Sequence, residues 1–146
     1  MSKVTIYGYF QDKEAAFLAV AERFASRLRK AVDAELTRSG SLSDRLCAAL
    51  LAKHRIVFET VRMSGHARDL FAANDRLSIG VFRDLDQSIE VAMADLAVSM
   101  GKAEPEARRL ARVLFSASQG LATGATNLDA FQSDLSFMVS QIVGSP

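Results

Sequence analysis

Ser2-Lys3-Val4-Thr5-Ile6-Tyr7-Gly8-Tyr9-Phe10-Gln11-Asp12-Lys13-Glu14-Ala15-Ala16-Phe17 reads as a short polar-capped helix, a sharp break and the opening of a second helix. Ser2 can cap the first helix through its hydroxyl. Thr5, Tyr7 and Tyr9 offer hydroxyls and ring faces, and Lys3 and Lys13 flank them with positive charge. These are groups that suit phosphate oxygens and thymine methyls, so the segment has the makings of an element that enters a nucleic-acid groove.

Outward from this opening, apolar residues recur at spacings of three and four, and only two prolines punctuate the chain. That pattern predicts an all-α fold. A long helix is expected from about Lys13 to Leu36, with Phe17, Val20, Phe24, Leu28 and Val32 along one face, ended over Thr37 to Gly40. Ser41, with Asp44 three residues on, reads as a capping box. The helix it opens runs from Leu42 to about Met63. It carries one apolar face of Leu46, Leu50, Val57 and Val61 and a second stripe of Cys47, Leu51, His54, Phe58 and Arg62, so a central helix touched from both sides is expected.

Ser64-Gly65 breaks the pattern, and a short helix around Ala67 to Ala73 should precede an Asn74-Asp75 cap. From Leu77 the series Val81, Phe82, Leu85, Ile89, Ala92, Met93, Leu96 and Met100 predicts a long amphipathic helix that stops at Gly101. Pro105 is placed to begin the next, which reaches about Gly124. Asn127 caps the last, with Leu128, Phe131, Leu135, Met138 and Ile142 on one side.

At 146 residues, the chain fits one globular domain with a real core. With 49% hydrophobic and 24% charged residues and a net charge of +1, it carries no overall basic signature of nucleic-acid binding. Residues 1 to 30 are mildly basic, through Lys3, Lys13, Arg23, Arg27, Arg29 and Lys30 against Asp12, Glu14 and Glu22. The single cysteine, Cys47, excludes an intrachain disulfide and favours a reducing compartment, so a cytoplasmic location is expected. No secretory leader and no apolar run of about 18 residues is present, and no membrane partner is expected.

The opening segment resembles the end of the DNA-binding unit of TetR/AcrR-type transcriptional regulators, whose pattern reads Thr-(Ile/Leu)-Tyr-x-Tyr-Phe-x-x-Lys-Glu-x-x-Phe. The resemblance implies that residues 3 to 10 look like a recognition helix and that Asp12 caps the helix leading into a regulatory body. It divides the chain into a partial helix-turn-helix remnant, 1–12, and a helical ligand-binding and dimerisation domain, 13–146, with the first two helices of the DNA-binding unit lacking. Within the motif, Thr5 and Tyr9 would position phosphates, Tyr7 would meet a base or methyl group, and Lys3 and Lys13 would add positive charge near the backbone. Operator binding is expected only where the missing helices exist.

The resemblance also implies a small, mostly apolar effector held between body helices, for which His54, Phe58, Arg62, Phe71, Phe82, Met93 and Phe115 are the candidate lining. A homodimer built from the last two helices is implied too. Ser116 to Ala125 is a run of small residues suited to close helix approach, and Leu114, Ser118, Gly120, Leu121, Phe131, Leu135 and Met138 are the candidate interface. The expected function is that of an effector-controlled regulator, most simply a repressor. The alternative is a truncated ligand-binding and dimerisation module with no DNA binding of its own.

Other chemistry is weakly signalled. Cys47 and His54 stand seven residues apart, but with His66 alone elsewhere they form no recognisable zinc set. Asp84, Asp86 and Glu90 read as a solvated helix face. No phosphate loop or nucleophile elbow occurs, so neither an enzyme nor a cofactor is expected.

Overall fold

The computed structural model describes residues 3–63 and 78–144, with the side chains of all these except Ile6, Tyr7, Tyr9, Phe10, Met63, Ser78 and Ile79. The described residues form helices and no strand: α1 Lys3–Thr37, α2 Leu42–Met63, α3 Ser78–Ser99, α4 Glu104–Gly124 and α5 Leu128–Val143. The all-α expectation holds. The expected short helix around 67–73, with its flanking break and cap, lies outside the described residues, as do Phe71 and Leu77.

The break expected before Lys13 is absent, because α1 runs unbroken through Gly8 and Asp12. Breaking a helix strands amides and carbonyls at two new ends, whereas continuing it adds one hydrogen bond per residue with no fresh nucleation. No proline or left-handed residue interrupts 3–37, and Gly8 costs only about 1 kcal/mol against alanine. Asp12 is therefore an exposed residue inside α1 and not a cap. The buried line of α1 also differs from the expected one. It consists of Ala21, Ala25, Leu28, Val32 and Leu36, with Phe17 and Phe24 half-buried beside it, while Val20 is 54% exposed.

The ends of the other helices follow local chemistry. The Asp44 amide donates to Ser41 Oγ at 3.1 Å, and the Ser41 hydroxyl donates to Asp44 Oδ2 at 2.8 Å, so the capping pair closes through side chains. One turn on, Arg45 reaches back from α2, and its Nε donates to the Leu36 carbonyl at 3.0 Å. A cation thus satisfies an orphan acceptor at the negative end of α1. Gly101 adopts φ +101°. Its amide bonds Val98 O, and the Lys102 amide bonds Ala97 O, the paired pattern that a left-handed residue allows after a helix. Pro105 occupies the second position of α4, one residue later than expected. Asn127 Oδ1 accepts from the Ala130 amide at 2.8 Å and caps α5. Met100 and Ile142, expected on apolar faces, are each 42% exposed; Met100 directly follows α3 and Ile142 lies in the last turn of α5.

Helix α2 packs between α1 and α5, with lighter contacts to α3 and α4. The remaining helices close the bundle, α1 on α3, α3 on α4 and α4 on α5. The core gathers Leu28 and Val32 from α1, Leu46 and Leu50 from α2, Ile89 and Met93 from α3, Leu114 from α4, and Phe131, Leu135 and Val139 from α5. Side chains of this size each stabilise the fold by about 1.5 to 3 kcal/mol when fully buried. Among the described residues, no helix is long and apolar enough to cross a membrane.

Candidate functional site

The second halves of α1 and α2, the start of α3 and the end of α4 border a cleft of about 640 Å³. Its walls are Phe24 and Leu28 of α1, Val57, Phe58 and Val61 of α2, Phe82 and Leu85 of α3, and Ala122 of α4. Phe24 and Phe82 meet edge to face across α1 and α3, with ring centroids 6.2 Å apart. The polar lining comes from Lys53, His54 and Arg62 of α2, Asp86 of α3, and Gln119 and Thr123 of α4. Arg62 lies in the last turn of α2, about two and a half turns beyond Lys53.

Lys53 is the least expected member of this set. It is only 6% exposed, its Nζ lies 3.2 Å from Asp86 Oδ1, and the ammonium sits 4.1 Å above the centre of the Phe115 ring. A buried ammonium is tolerated when a carboxylate and an aromatic face replace its water. Burial lowers the Lys53 pKa from its ordinary 10.5, and the charge and hydrogen bond of Asp86 oppose that shift. Asp86 also accepts from Gln119 Nε2 at 3.4 Å, so groups on three helices converge on one ion pair.

His54, beside it, is also 6% exposed. Its Nε2 lies 3.0 Å from Ser118 Oγ, and its ring meets the edge of Phe131 at 5.0 Å. The Ser118 hydroxyl donates its only proton to the Phe115 carbonyl at 2.7 Å. Toward His54 it must therefore accept, which assigns the imidazole proton to Nε2. Burial, reinforced by the nearby Lys53 charge, pushes the His54 pKa down to about 4. The ring is a neutral strut between α2 and α4.

Of the expected pocket residues, the cleft brings together His54, Phe58, Arg62 and Phe82. Met93 is fully buried in the core and Phe115 lies beneath Lys53, so neither lines the cleft. Phe71 falls outside the described residues. Lys53 and Asp86 were not expected here, and the carboxylate face that includes Asp86 is not wholly solvated. The signal was present in the spacing. Lys53 interrupts the apolar series Leu46, Leu50, Val57, and Asp86 interrupts Phe82, Ile89, Met93, each at a core-facing position and with opposite charge. Cys47 contributes no ligand set: its sulfur lies 3.7 Å from Ser136 Oγ, and no cluster of metal-ligating side chains occurs among the described residues.

The expected dimer residues divide sharply. Leu114, Ser118, Phe131 and Leu135 are wholly buried inside the subunit and cannot reach a partner. Their periodicity is that of the subunit's own core. Gly120 is exposed, and Leu121 and Met138 are half-buried. Opposite the buried face of α4 stand Val113, Ser116 and Gly120, all exposed, and a methyl group placed on Gly120 would touch nothing within 4 Å. On α5, Phe137 is 69% exposed. At the other end of the molecule, Lys3, Thr5 and Lys13 lie on exposed positions of α1. The backbones of Tyr7 and Tyr9 belong to the same helix, and their side chains are outside the described set. No family model, curated protein or solved structure matches the chain.

Proposed function

We propose that the chain is the effector-binding and dimerising body of a TetR/AcrR-type transcriptional regulator. The observation that carries this reading is the cleft, a mainly apolar space of about 640 Å³ with a few polar groups in its lining, within the size and character usual for small-molecule sites. The opening motif supplies the link to DNA. Phe24 and Leu28 of α1 line the cleft, and the motif residues lie on the same helix, from about 17 Å (Lys13) to about 32 Å (Lys3) before Phe24 at 1.5 Å per residue. A ligand that shifts α1 at Phe24 moves Lys3, Thr5, Tyr7, Tyr9 and Lys13 with it. The exposed faces of α4 and α5, centred on Gly120 and Phe137, would pair two subunits and couple two such helices.

The unbroken course of α1 favours a second reading, because residues 3–10 are not set off as a helix of their own. In it the chain binds ligand and dimerises without contacting DNA, and acts by pairing with a full-length relative. An electrophoretic mobility shift with DNA flanking the gene separates the two. Sequence-specific retardation that weakens steeply as salt rises, and weakens further in Lys13→Glu, supports direct DNA contact. A dimer that retards no DNA specifically supports the module.

A further inference from the structure

We infer that the cleft takes an amphipathic acid, a molecule with an apolar body and one carboxylate, its head at Arg62 and its body along Phe58 and Phe82. This deepens the proposal that the cleft is an effector site, and it rests on that reading.

Two cations and one carboxylate line the cleft, and His54 is neutral. Asp86 is already held, by Lys53 at 3.2 Å and by Gln119 at 3.4 Å, so it has little left to offer a ligand cation. Arg62 has no counter-ion among the described residues. It lies nine residues beyond Lys53 on α2, or about 13 Å along the axis, with Val57, Phe58 and Val61 between them on the cleft wall. The site thus combines apolar walls, an ion pair whose two charges already answer each other, and a guanidinium with no counter-ion among the described residues. A guanidinium presents a planar fork of donors that matches a carboxylate in two parallel hydrogen bonds. A cationic amphipath would meet repulsion at Arg62. A neutral one would gain only the apolar walls.

The test is calorimetric titration of decanoate, decanol and decyltrimethylammonium at neutral pH, each below its micelle-forming concentration, into the wild-type chain, Arg62→Gln and Ala122→Trp. Arg62 is exposed, so its replacement leaves the core intact, and a tryptophan at half-buried Ala122 occupies the cleft. Decanoate is expected to bind the wild type roughly fivefold or more tighter than decanol, the equivalent of about 1 kcal/mol for a partly exposed pair. The ammonium is expected to bind weakest. Arg62→Gln should abolish the advantage of decanoate and leave decanol unchanged, and Ala122→Trp should remove all binding. Decanol or the ammonium matching decanoate, or an advantage that survives Arg62→Gln, overturns the acid inference and leaves the effector cleft standing. Failure of all three to bind the wild type, or binding undiminished in Ala122→Trp, overturns both.

Discussion

Lys53 and Asp86 are unequal partners, and their inequality can be measured. The lysine side chain is 8% exposed and the aspartate 36%, so removing the carboxylate strands a buried ammonium. Removing the lysine leaves a carboxylate that water and Gln119 can reach. Asp86→Ala is expected to destabilise the fold by about 2 to 3 kcal/mol. Lys53→Met, which keeps an unbranched chain over Phe115, should cost about 1 kcal/mol or less. Urea midpoints for the two variants check the order, and a reversed order would mean that the ammonium does not depend on Asp86. His54 gives a pH signature. Its folded pKa of about 4 lies below the ordinary 6.5, so between these values the unfolded chain takes up a proton that the folded chain refuses. Stability from this group is complete above pH 6.5 and is lost as pH falls toward about 4. The loss is on the order of 3 kcal/mol. Urea unfolding across this window should show the slope in the wild type and a shallower one in His54→Asn. At this scale the sequence was readable for His54, Phe58, Arg62 and Phe82, whose stripe positions turn them to the cleft. Lys53 is not legible from its own helix, because only the opposite charge of Asp86 in the apolar series of another helix marks it as buried.

Caps and stops are the element-scale features that local sequence determines best, because their hydrogen bonds close within a few residues. Ser41 with Asp44, Gly101 and Asn127 all act as their sequence context implies. Ser41→Ala and Asn127→Ala should each cost about 1 kcal/mol, measurable as lowered urea midpoints with unchanged slope. The two losses should add, since the caps serve different helices. The start of α1 was not legible in the same way. The motif around Tyr7 and Tyr9 implies a short helix and a turn, but no residue there forbids helical backbone, and propagation from Lys13 backward costs less than stopping. Apolar periodicity also located the faces of α4 and α5 without saying what they face. Leu114, Phe131 and Leu135 answer to their own subunit, while Val113 and Phe137, one on each helix, point outward.

The whole molecule combines an outward surface on α4 and α5 with an inward cleft between α1, α2, α3 and α4. In the proposed dimer, the exposed Phe137 ring and the open space at Gly120 meet a second copy. Phe137→Ser is therefore expected to yield monomer at micromolar concentration in light scattering after size exclusion. Gly120→Leu should weaken the dimer without unfolding the chain, since Gly120 is exposed and a methyl group placed there would meet no described atom within 4 Å. A wild-type monomer, or a Phe137→Ser dimer as firm as the wild type, would remove this face from the proposal. The fold class was legible throughout, because an all-helical pattern needs only local periodicity. The cleft was half legible, because its shape depends on how α1, α2, α3 and α4 splay, which no single helix encodes. The central claim is that this cleft holds a ligand, and melting temperatures of the wild type and Ala122→Trp with decanoate test it most directly. At a hundredfold excess over its dissociation constant, decanoate should stabilise the wild type by about 2.7 kcal/mol, seen as a raised melting temperature, and leave Ala122→Trp unmoved. No rise in the wild type, or an equal rise in both, would contradict it.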